Sequence, residues 1–199
     1  ILEISIVTFL LAISGALAQF PIGKISDIYD RRKVIVFSTF GAAVFSILTI
    51  IVSRQMYLPG GLATSKLWFY FFFILFSFCS LPMFSLILAH TNDYISKDKF
   101  VAAGAGLQFT FGLGAICGPL LCSILMDLTG ANGFFIFLFL FHSIIGIFGI
   151  YRMRIRKTIE NPDSQFVAMP QTITPAGIEL NPTTEPIEEP EKIEQDLKK

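Results

Sequence analysis

Residues 21–33 read PIGKISDIYDRRK, a short polar link between two long apolar stretches. Gly23 lets another group approach the backbone closely. Asp27 places a carboxylate at the edge of an apolar region, where it needs an arginine or the positive end of a helix as partner. Arg31, Arg32 and Lys33 supply a cluster of cations within six residues of it. A tight hairpin with this charge set suits a latch that closes when two helical bundles meet and opens when they part.

The apolar stretches that flank the hairpin, 3–20 and 34–53, are followed by three more at 67–89, 101–126 and 134–151. Each is close to the roughly 20 residues that a helix needs to cross a hydrocarbon core. Backbone groups in lipid must be satisfied within the span, and strand-like alternation is missing, so the spans are expected to be helices. The whole 199-residue chain agrees: 53% of residues are hydrophobic, only 15% are charged, 22 are Phe, and the mean hydropathy is +0.67. One soluble core could not hide that surface, so the lipid bilayer is an expected partner. The formal charge is zero, which argues against nucleic acid as a partner. Cys79, Cys117 and Cys122 all lie in apolar stretches without metal-ligand spacing and are read as packing residues.

Charge sets the orientation. Loops 21–33 and 90–100 and the stretch after the last span hold ten Lys and Arg, whereas loops 54–66 and 127–133 hold only Arg54 and Lys66. The positive-inside rule then puts the three basic segments, and the C-terminus, in the cytoplasm. Tyr57, Trp68 and Tyr70 fall where an outer aromatic belt would be; Tyr29, Tyr94 and Tyr151 fall at the inner one. The chain thus divides into a membrane region, 1–157, with a net charge of +6, and a tail, 158–199, with −6. Six prolines and nine acidic residues predict a disordered, solvated tail, although Phe166, Val167, Met169, Ile173, Ile178 and Leu180 are able to dock on the cytoplasmic face. Because it opens at Ile1, just before or within a span, the chain reads as a fragment.

The hairpin resembles the recurrent loop motif of the major facilitator superfamily of secondary transporters, roughly Gly-x-hydrophobic-small-Asp-cation-x-Gly-cation-cation. Here it runs from Gly23 through Asp27 to Arg31 and Arg32, with Ile28 where a cation is usual and Asp30 where Gly is usual. Such departures are usual in the second copy of the motif, between helices 8 and 9 of that family. The resemblance therefore implies an all-helical membrane fragment: five helices, 8 to 12, of a C-terminal six-helix bundle. In that family the motif's Asp helps to hold one face closed against the opposite half, a role that would fall to Asp27. Asp93, at the end of the third span, could pair with Arg31 or Arg32. The expected partners are then the missing N-terminal half, an unknown small-molecule substrate and a coupling proton; no cofactor, metal or catalytic residue is expected.

Other candidates are positional. Ser5, Thr8, Ala12, Gly15 and Gln19 form a small or polar stripe on the first span, suited to lining a cavity or to helix packing. Ser77, Ser80 and Phe84 share a face of the third span near Pro82, on the helix that the resemblance places beside the central cavity. In the fourth span Gln108 shares a face with Gly118, and Gly114 with Gly118 makes a GxxxG pair, next to Pro119, which should kink or loosen the helix. His142, mid-span in the last helix, is read as a packed, hydrogen-bonded residue with a proton relay as the alternative. The leading reading is a carrier in the plasma (inner) membrane working by alternating access. The alternative is a non-transporting scaffold or degraded half-carrier whose tail recruits partners. An enzyme is disfavoured because no nucleophile, base and acid converge.

Overall fold

The computed structural model describes residues 2–55, 62–96, 99–156 and 166–169. The order is α1 (Leu2–Ile28), α2 (Arg31–Gln55), α3 (Leu62–Ser80), α4 (Met83–Asn92), α5 (Phe100–Thr129), a single 3-10 turn (Gly130–Asn132) and α6 (Gly133–Ile155). The first two spans are therefore single helices, longer at both ends than their apolar cores. The third is two helices, because Pro82 lacks the N–H that would continue the ladder and starts α4 instead. Pro21 and Pro119, by contrast, sit inside α1 and α5, which remain helical through them.

Four continuous helical stretches are long and apolar enough to cross a membrane: Leu2–Ile28, Arg31–Gln55, Ser65–Asn92 and Phe100–Ile155. The last contains 56 residues, about 84 Å as one helix and more than twice the hydrocarbon thickness. It is not one rod. Gly130 takes φ 73°, and Gly133 lies so close to Leu125 that an added Cβ would meet its carbonyl oxygen at 2.5 Å. The chain folds back there, so α5 and α6 are two separate helices packed on one another.

Helix α2 sits between α3 and α6, and its buried face is small and polar. Ser38, Thr39, Ala42, Ala43, Ser46 and Thr49 are all buried. The hydroxyls of Thr39, Ser46 and Thr49 donate to carbonyls one turn back, at 2.7–2.9 Å, so no buried hydroxyl is left unsatisfied there. On α6 the approach is closest at Gly149 and Gly146, where a Cβ would stand 2.6 Å from Val36 Cγ2 and 2.9 Å from the Phe40 ring. Large apolar side chains point the other way: Phe20 is 79% exposed and Phe37 80%. Small groups inside and large apolar groups outside is the arrangement that lipid, rather than water, stabilises.

Helix α1 runs alongside α3 in the same direction. Ser14 donates to the Ile74 carbonyl at 2.9 Å and Ser77 to the Leu11 carbonyl at 2.8 Å. At one end of the bundle Glu3 pairs with Lys66, and Ser53 donates to Asn132 Oδ1 at 2.8 Å. At the other end the α1–α2 hairpin, the end of α4 and the end of α6 converge. The three basic segments therefore share one face, as charge counting requires.

Candidate functional site: a charged hairpin and a docked strap

The site is built at the convergent end. Arg31, the first residue of α2, is 7% exposed and bridges two carboxylates. Its Nη2 donates to Asp27 Oδ1 at 2.9 Å and its Nη1 to Asp93 Oδ1 at 3.2 Å. Asp93 thus joins Arg31, the first of the two partners foreseen for it. Arg32 is held elsewhere, by Asp30: Nη2 to Oδ2 at 2.8 Å and Nε to Oδ1 at 3.1 Å. It also donates to the Arg156 carbonyl at 2.8 Å, which ties the hairpin to α6.

Asp30, met in the sequence as a departure from the motif, has a structural task. Its Oδ1 accepts the Arg32 backbone N–H at 3.0 Å, and its carbonyl accepts the Lys33 N–H at 2.8 Å. It therefore caps α2, with its negative charge at the favourable end of the helix. Sequence reasoning missed this role, although an Asp just before a new helix is the usual signal for it.

The tail corrects a second expectation. Phe166–Met169 is not solvated: the Phe166 N–H donates to Asp27 Oδ1 at 2.8 Å. Its ring covers Gly23 so closely that a Cβ there would meet Phe166 Cδ1 at 2.2 Å. Met169 is 8% exposed, and Ser85 Oγ exchanges hydrogen bonds with its carbonyl at 2.9 Å and its N–H at 3.1 Å. Phe166 also packs against the buried cluster of Ala18, Ile22, Val34 and Leu86. The strap binds because Phe166 finds that cluster and Met169 is buried, while two backbone N–H groups find Asp27 and Ser85. Ile173, Ile178 and Leu180 lie outside the described residues.

Gln19, Ala16, Phe20, Lys24, Asp27 and the strap enclose a cavity of about 570 Å3. The stripe on α1 thus divides: Gly15 packs against Leu81, whereas Gln19 lines this cavity. The face that packs is Ser14, Gly15, Ala18, Ile22, Gly23 and Ser26, while Thr8 is exposed and donates to Ile4 of its own helix at 2.9 Å. Small residues occupy both faces, so periodicity alone does not separate the packing positions from the cavity-lining ones. Ser77 is buried against α1 and holds helices together instead of lining a cavity.

His142 and Ser80 meet, Ser80 Oγ to Nε2 at 3.0 Å, and His142 Nδ1 lies 2.8 Å from the Leu138 carbonyl. A carbonyl only accepts, so Nδ1 carries the proton and Nε2 accepts from Ser80 in the neutral ring. Phe76 closes the site edge-on at 5.3 Å. On α5 the small-residue face is open: nothing lies within 4 Å of a Cβ placed at Gly114 or Gly118 among the described residues. Among the described residues no helix packs at that pair, and α5 lies chiefly against α6 and the short α4. Gln108 is half-buried on the same helix, its Oε1 without a hydrogen-bond partner among the described residues.

Apolar helices of crossing length, an inverted polarity and a charged hairpin at one end define a multi-pass helical membrane protein. The sequence profile of the Major Facilitator Superfamily matches residues 1–185, and the chain belongs to that family. It is 24% identical over 160 residues to an uncharacterized MFS-type transporter of Yersinia enterocolitica, covering 80% of this chain and 37% of that protein. Uncharacterized MFS-type transporters of Yersinia pestis and Yersinia pseudotuberculosis are 22% identical over the same length and coverage. The chain therefore spans 37% of the length of these curated relatives. No solved structure gives a significant match.

Proposed function

We propose that this chain is part of a secondary carrier that moves a small molecule across the plasma (inner) membrane by alternating access, with its C-terminal end in the cytoplasm. The observation that carries the reading is the Asp27–Arg31–Asp93 network, an ion-pair set around the buried Arg31 that ties three helix ends together at the basic face. Such a set holds one face shut while its members are paired and releases it when one partner is exchanged. The remaining partners are the opposite half of the carrier and the substrate, with a proton as coupling ion. The cavity beside Gln19 and Lys24 lies directly under the latch, where a passage would end.

The test is transport by the whole carrier bearing Asp27→Asn, assayed with a substrate panel beside a measure of membrane insertion. Insertion at the wild-type level with transport reduced about tenfold or more, the effect of one lost partner in a coupled charge set, is the expected result. Wild-type transport in that variant would remove the latch role. A variant-independent failure to move any substrate would favour the scaffold reading.

A further inference from the structure

Three arginines meet at a second place on the basic face, away from the latch. Arg32 from α2, Arg152 and Arg156 from the end of α6, and His90 and Tyr94 from the end of α4 line a cavity of about 230 Å3. No carboxylate lines it. Among the described residues, neither Arg152 nor Arg156 has a carboxylate within ion-pair distance. They stand one helical turn apart, a spacing at which like charges repel. A positive-inside bias asks only that cations lie on this side; it does not ask that they converge on one cavity. Arg32 is clamped by Asp30 and by the Arg156 carbonyl, so the wall of the cavity is held in place before any ligand arrives. The His90 and Tyr94 rings, 4.9 Å apart, form the opposite wall.

The depth of the site narrows the ligand. Tyr29 and Tyr151, 65% and 58% exposed, stand at the same end of the bundle, at the level where aromatic side chains meet lipid headgroups. The guanidinium fork matches phosphate oxygens in pairs. At roughly 30 Å3 per water, the cavity has room for a phosphate group and a few waters. We infer that Arg152 and Arg156, backed by Arg32, form a binding site for a phosphate-bearing ligand at the headgroup level, an anionic phospholipid or free phosphate. The inference is independent of the carrier reading.

Native mass spectrometry of the full chain in detergent, exchanged with phosphatidylglycerol or phosphatidylcholine, tests it. Wild-type protein should retain the anionic lipid about tenfold over the zwitterionic one, and Arg152→Gln with Arg156→Gln should abolish that preference, in line with the pull of two surface cations. Arg152→Lys with Arg156→Lys keeps the charge but loses the fork; it should lose about threefold, which guards against a Gln variant that fails to fold. Arg54→Gln, at the opposite end, should change nothing. Displacement by millimolar inorganic phosphate would identify free phosphate as the ligand; resistance to it would identify the lipid. Equal retention of both lipids by the wild type, or an unchanged preference in the Gln variant, overturns the site.

Discussion

Arg31, Asp27 and Asp93 each stand at a helix end that disfavours their charge. Arg31 opens α2, where the dipole is positive; Asp27 lies in the last turn of α1 and Asp93 caps the end of α4, where it is negative. Their mutual pairing, together with the Phe166 N–H that donates to Asp27, offsets these unfavourable positions. Arg31→Gln should therefore lower stability by about 1–3 kcal/mol, because the partly buried Asp93 and the more exposed Asp27 lose their common cation. Thermal unfolding in detergent checks this, and a change under 1 kcal/mol would contradict it. Asp30→Ala, which removes a cap and the clamp on Arg32, should lower it by roughly 1 kcal/mol in the same measurement. The triad was legible because Gly23, Asp27 and Arg31 lie within nine residues and Asp93 ends a basic-side span. The task of Asp30 was not legible: compared with a motif it looks like a loss, whereas its place before α2 makes it a cap.

Among the helices, α2 shows best how lipid reverses the usual pattern. Ser46 is fully buried, yet its hydroxyl bonds to its own helix and to no neighbour. Its smallness is what α3 and α6 require. Ser46→Ala should therefore leave stability within about 0.5 kcal/mol, whereas Ser46→Leu should lower it by about 1–3 kcal/mol through overpacking. Equal effects of the two substitutions would show that the hydroxyl, not the volume, matters. The strap Phe166–Met169 makes a similar demand on the α1 and α4 surface. Met169→Asp places a charge in a site with one hydroxyl partner, Ser85. Limited proteolysis should then cut the 158–199 region several-fold faster than in the wild type; an unchanged rate would mean that the strap does not hold it. The apolar stretches were readable from hydropathy, and the four helical stretches of crossing length among the described residues cover them. The strap was readable only as the alternative to a solvated tail, because Phe166 and Met169 are embedded in an acidic, proline-rich context whose composition predicts solvation. Nor did periodicity show the packing face of α1, where Ser and Gly occur on adjacent faces and only the neighbouring helix selects between them.

Taken whole, the molecule has two unlike ends joined by lipid-facing helices. One end has a single ion pair, Glu3 with Lys66, and the neutral Ser53–Asn132 contact among its described residues. The other gathers Asp27, Arg31 and Asp93, the capped Arg32, the strap and the three-arginine cavity. This asymmetry follows from charge placement that sequence alone displays. The open face of α5, with Gly114 and Gly118 untouched, and the cavity at Gln19 would be completed by the opposite half in the proposed carrier. The central claim, that the Arg31 network keeps the basic face closed, is tested most directly by solvent access to that cavity. In the whole carrier with its native cysteines removed, a cysteine at Gln19 would be labelled from the cytoplasmic side by a membrane-impermeant maleimide, with and without Asp27→Asn. The labelling rate should rise several-fold when the Asp27 charge is lost. An identical rate in both backgrounds would mean that the network braces the fold and does not gate it.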